Sequence, residues 1–167
     1  GGGLSTVNLT ALSASSADGV LLVNHAKNED NYALSKANAD GTFSIWVHDN
    51  GANGASYEQD PVAFVYLPVS RAGTHQLVAL GRVNSNATTD VSGGTFTLTK
   101  GGTGQWYLTI AGHDNTTGTL IISPEGGGTN SSDNVVSFAW DNTNSRWVIE
   151  SRDLSGATVQ PTLQDGA

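Results

Sequence analysis

Two His-Asp pairs, His48-Asp49 and His113-Asp114, stand closest to catalytic chemistry, because an imidazole oriented by a carboxylate can act as a general base toward a serine. Neither pair belongs to a nucleophile motif: no G-x-S-x-G occurs, and the pairs fall at non-equivalent positions of the internal repeat. No catalytic residue is assigned, and the chain reads as a non-enzyme. The acidic and amide clusters, "HDN" at 48–50 and 113–115 and "DN" at 133–134 and 141–142, carry oxygens that suit Ca²⁺, with Asp49, Asp114 and Asp133 as candidate ligands. They stand singly at strand ends instead of converging in one loop, so their expected role is turn formation, each side chain bonding its own backbone. Beyond that Ca²⁺ option no cofactor is expected.

The Gly-rich "GGTGQW", 101–106, lacks the Lys-Ser/Thr of a phosphate loop and leads into a strand, which makes it a hairpin turn. Four tryptophans, Trp46, Trp106, Trp140 and Trp147, could stack on sugar rings, yet their strand positions favour packing. Trp46, Tyr57 and Tyr107 remain as candidate ligand-facing aromatics, with surface glycans as the corresponding partner. The sequons at Asn8, Asn86, Asn115 and Asn130 mark surface positions.

The net charge of −8 and the scattering of Lys27, Lys36, Lys100 and four arginines leave nothing to neutralise a row of phosphates, so nucleic acid is not an expected partner. No apolar run approaches the roughly 20 residues of a membrane-spanning helix. With 37% hydrophobic residues the chain can bury a core, and with no cysteine that core must stabilise the fold without disulfides. Methionine is absent even at position 1, which leads to the expectation of a processed or excised piece of a longer product.

Alternation and short apolar runs predict about eleven strands: 7–12, 19–24, 32–37, 43–48, 62–69, 77–83, 95–100, 105–111, 118–123, 135–140 and 146–152. No stretch carries a sustained helical period. The expected fold is all-β, an antiparallel sandwich of jelly-roll or immunoglobulin-like type. In "VAFVYLPV" both faces are apolar, so 62–67 reads as a central strand covered on both sides and ended by Pro68.

The chain also resembles itself. Leu9-Thr10 matches Leu108-Thr109 and Gly19 matches Gly118, both 99 positions apart; Asp30-Asn31 matches Asp133-Asn134 at 103, Asp49 matches Asp153 at 104, and Gln59-Asp60 matches Gln164-Asp165 at 105. The drift is absorbed in loops, where insertions are tolerated. The reading is one and a half copies of a unit of about 105 residues. Residues 1–61 are a partial first repeat lacking its opening strands, and 62–167 a second lacking the closing strand that would follow. Such a cut leaves apolar strands to complete a neighbour, and Val7, Leu9, Ala11, Val62, Phe64, Val65 and Leu67 are the candidate assembly residues.

The core "GTLIIS…DNVVSFAW…RWVIESRDL…LQDGA" and its connecting "AFVYLPV…ALGRV…GTFTLTKGGTGQWYLTIAG" resemble the tandem β-sandwich-type repeats of large secreted bacterial surface and stalk proteins. The resemblance implies an extracellular or cell-surface, modular, non-enzymatic unit and carries no functional residue with it. The function expected is a self-associating subunit of a filament or matrix, its partner a second copy of itself. A stalk or adhesin fragment and a carbohydrate-binding module are the alternatives.

Overall fold

A computed structural model describes residues 3–26, 31–49, 57–126, 134–153 and 162–163. Among them are twelve strands: β1 (Leu4–Val7), β2 (Gly19–His25), β3 (Tyr32–Ala37), β4 (Phe43–His48), β5 (Val62–Pro68), β6 (Leu80–Val83), β7 (Thr89–Gly93), β8 (Thr97–Gly102), β9 (Gln105–Thr109), β10 (Asn134–Asp141), β11 (Arg146–Asp153) and the two-residue β12 (Thr162–Leu163). Two single 3₁₀ turns, Thr10–Leu12 and Val69–Arg71, are the helical content of these residues. All the strand ladders are antiparallel, in the orders β1-β4-β3, β2-β5, β6-β7 and β10-β11-β9-β8, with β12 beside β11. The fold is all-β, its layers are consistent with a sandwich, and none of the described sheets closes into a barrel.

Period-2 alternation builds the main core. Phe43 and Ile45 of β4 and Ala33 of β3 face Leu21 and Val23 of β2, with Leu9 joining them; Val7, Ala14, Ala37, Val62 and Tyr66 pack around this cluster. Phe43 and Ile45 are 2% and 1% exposed, and burial of such side chains contributes about 1.5–3 kcal/mol each. The ribbon β2–β5 thus lies over one face of β1-β4-β3. The other face of that sheet is also closed at Leu34 and His48.

The sheet β10-β11-β9-β8 has one apolar and one polar face. Trp147 and Trp106 are buried, and Trp140 meets Trp147 edge-on at 4.6 Å between ring centroids. On the opposite face Arg146 stacks 3.4 Å over Tyr107 and pairs with Asp141, while Glu150 binds Arg152 at 2.6 Å and accepts a bond from Gln105.

The neighbour order β3-β4-β1 recurs as β10-β11-β9. The displacements of 103 and 104 residues carry Tyr32 and His48, which are paired, to Val135 and Arg152, which are also paired. For the first strand the ladder differs from the sequence match. Val7 pairs with Phe43 and Leu108 pairs with Trp147, so the ladder displaces Val7 by 101 residues instead of 99. A shift of two keeps every side chain on its face.

Three expected strands change. The extended run 7–12 ends at Val7, because Asn8 Oδ1 accepts bonds from the Thr10 N–H (3.0 Å) and hydroxyl (2.8 Å) and turns the chain. Residues 118–123 form no strand. Residues 62–67 are not central, since among the described residues β5 pairs with β2 alone. The strand β7, unforeseen, is a short Gly-ended partner that completes a hairpin with β6.

Candidate association surface

Strand β5 is fixed through one edge. Its ladder runs from Gly19↔Pro68 to His25↔Val62, and Val69 N–H continues it by donating to Asp18 O at 2.8 Å. Residues directly opposite share a face, so Val62, Phe64 and Tyr66 lie with Val23 and Leu21 toward the core, and Ala63, Val65 and Leu67 lie with Leu22 and Val20 on the outer face. Tyr66 is locked there: its ring packs on Phe43 and its hydroxyl donates to Ser15 O at 3.1 Å. Burial, with the nearby Asp18 carboxylate, raises its pKa.

The other edge of β5 has no strand beside it among the described residues, and the strand is apolar where it is open. Phe64 is 51% exposed and Val65 47%, one from each face. Val62–Pro68 contains no charged residue. Natural edge strands are usually blunted by lysine, proline or a bulge, and here only the terminal Pro68 does so. A cleft of about 810 Å³ continues the surface past Pro68, between Leu12, Val69, Arg71 and Asp90.

The other assembly candidates sit elsewhere. Val7 ends β1 and packs on the core, Leu9 is buried in it, and Ala11 is exposed in the 3₁₀ turn. In this conformation the N-terminal strand belongs to its own sheet. The candidate ligand-facing aromatics are each half-buried: Trp46 is flanked across the ladder by Leu4 and Leu34, Tyr57 tilts against His48 two positions further along β4, and Tyr107, in a different sheet, is covered by Arg146.

Asp114 makes a turn, its Oδ1 accepting from both N–H and hydroxyl of Thr116 and from Thr117; these bonds, the Thr116 hydroxyl foremost, hold its carboxyl below the usual range. Asp49 follows β4, and Asp133 lies outside the described residues. Among the described residues no three His, Asp or Glu side chains are placed to hold a metal ion. His48 is fully buried between Tyr32, stacked at 5.2 Å, and Tyr57 at 4.8 Å, with neither ring nitrogen hydrogen-bonded.

One structural segment escaped the sequence reading. Residues 123–126 lie along the seam where the outer edges of β2 and β3 meet. Ser123 Oγ bonds both the N–H and the carbonyl of Val23 (3.4 Å each), Gly126 N–H donates to Ser35 O (3.0 Å), and Glu125 accepts from Ala37 N–H (3.0 Å) while facing Arg82 at 3.6 Å. Burial raises the Glu125 pKa, opposed by the Ala37 bond and Arg82. The signal available in the sequence was the echo of "GVLLVN" in "GTLIIS". No family model, curated protein or solved structure matches the chain.

Proposed function

We propose that the protein is a non-enzymatic structural subunit, extracellular or at the cell surface, that associates with copies of itself through the open edge of β5. The observation that carries this reading is the pairing of a missing ladder with exposed apolar side chains at Phe64 and Val65. A sheet edge presents a row of unpaired N–H and C=O groups, and an apolar one gains both hydrogen bonds and burial from a second strand. Covering the open halves of Phe64 and Val65 contributes about 1–2 kcal/mol before any backbone bond is counted. The sequence pattern of β5, apolar on both faces, supports the same reading: the cover that the pattern demands comes from another copy.

The shared neighbour order of β3-β4-β1 and β10-β11-β9, with the common register of β3–β4 and β10–β11, supports an internal repeat and a modular sandwich.

Sedimentation velocity over a concentration series tests the reading, comparing the parent chain with the variant Phe64→Lys/Val65→Lys. Lysine lowers the net negative charge, so lost association cannot be blamed on added repulsion. The parent is expected to form higher species. Buried without a partner, a charge costs about 3–5 kcal/mol, so the variant should raise the dissociation constant by at least about 100-fold with its β circular dichroism retained. A parent that stays monomeric at every concentration overturns the proposal.

A further inference from the structure

A second apolar segment has no ladder among the described residues, and its sequence resembles that of the strand β5 already binds. "GTLIIS", 118–123, aligns with "GVLLVN", 19–24, at a constant displacement of 99. In the first case the segment is β2, and Leu21, Leu22 and Val23 pair with Tyr66, Val65 and Phe64. In the second no strand forms among the described residues, and Ile121, counterpart of Leu22, is 76% exposed. The glycines record the same contrast. A Cβ on Gly19 would meet the Tyr66 ring and the Leu67 carbonyl at 2.6 Å, whereas one on Gly118 would meet nothing within 4 Å. The side of the glycine that β5 fills in β2 is open here.

The segment is also presented. Its C-terminal end is tied into the seam by Ser123, Glu125 and Gly126, and its N-terminal end by the Asp114 turn, where Gly118 N–H donates to Asp114 O at 3.1 Å. Between these anchors Leu120, Ile121 and Ile122 form an unbroken apolar run. Residues 118–123, like Val62–Pro68, contain no charged side chain, so in a chain of net charge −8 two copies can bring these stretches together with little local repulsion.

We infer that the outer edge of β5 in one copy pairs with residues 118–122 of a second copy. This rests on the proposed self-association and names its second surface. The occupant is a second copy because the chain's own β2–β5 ladder already joins this type of sequence to Val62–Pro68. The two surfaces differ, so the contact is heterologous: each copy uses β5 toward one neighbour and 118–122 toward the other, and copies add in a row.

The chain has no cysteine, which permits a direct test by crosslinking. Val65→Cys and Ile121→Cys are prepared separately, checked by circular dichroism, mixed, oxidised and resolved without reductant, with sedimentation run on the same samples. A Val65→Cys/Ile121→Cys heterodimer at an excess of about tenfold or more over either homodimer is expected, corresponding to a preference of about 1.4 kcal/mol. The doubly substituted chain should give a ladder of covalent multimers. Val65→Cys homodimers as the main product would mean that β5 edges meet each other, and association without any crosslink would place the contact elsewhere; either overturns this inference while leaving self-association standing. Monomers at all concentrations, without crosslinks, overturn both.

Discussion

His48 shows how one side chain sets a condition on the whole fold. It is 0% exposed, stacked against Tyr32 and tilted on Tyr57, and desolvation holds its pKa below the ordinary value. The imidazole is therefore neutral in the fold but takes up a proton near pH 6.5 when unfolded. Below that pH the unfolded chain binds more protons than the native one, so stability present above about pH 6.5 is lost as the pH falls, at up to about 1.4 kcal/mol per unit. The urea midpoint should drop between pH 7.5 and 5.5, and His48→Phe, which keeps the stack and removes the titration, should flatten that drop. Equal slopes in the two proteins would show that another group ionises. The carboxylates of Asp114, Asp141 and Glu150, stabilised chiefly by Thr116, Asn144 and Arg152, titrate below their usual range and act in a more acid window.

At the scale of elements, the decisive contrast is between β2 and residues 118–123, two similar sequences in different surroundings. Gly19→Ala would drive a Cβ into Leu67 O and Tyr66, and overpacking of this kind costs about 1–3 kcal/mol. Gly118→Ala meets open space and should leave the monomer's thermal midpoint unchanged; a comparable loss in both variants would mean that 118 is enclosed after all. The same contrast explains what could be read from the sequence. β3 and β4 were legible to the residue: in β4 Phe43, Ile45 and Val47 alternate on one buried face, while β3 buries Ala33, Leu34 and Ser35 in succession and is marked by its bounds instead. Val7, Leu9 and Ala11 alternate equally well, yet Asn8 turns the chain and sends Leu9 into the core as a plug. Residues 118–123 have a strand's composition but pair with no strand among the described residues. For β5 the apolar pattern implied a central strand covered on both sides, whereas among the described residues it pairs with β2 alone and leaves Phe64 and Val65 exposed, because composition records apolarity and not the number of neighbours.

For the whole molecule, charge governs approach. With a net charge of −8, copies repel at low ionic strength, while the surfaces proposed to meet carry no charge. Added salt shortens the Debye length to about 10 Å at 0.1 M, so association should strengthen from 10 to 300 mM NaCl, as read by light scattering at fixed protein concentration. Weakening over that range would point to contacts made by ion pairs instead. The seam closed by residues 123–126 bears on the order in which the molecule is made. Ser123 bonds Val23 across 100 positions, and Glu125 bonds Ala37 across 88. Contacts this distant in sequence carry a large loop-closure cost and slow folding. As the chain is synthesised, β1 to β5 can collapse onto one another early, but the facing edges of β2 and β3 stay unsealed until Gly126 has emerged. The first half of the protein therefore reaches its native form on the schedule of the second.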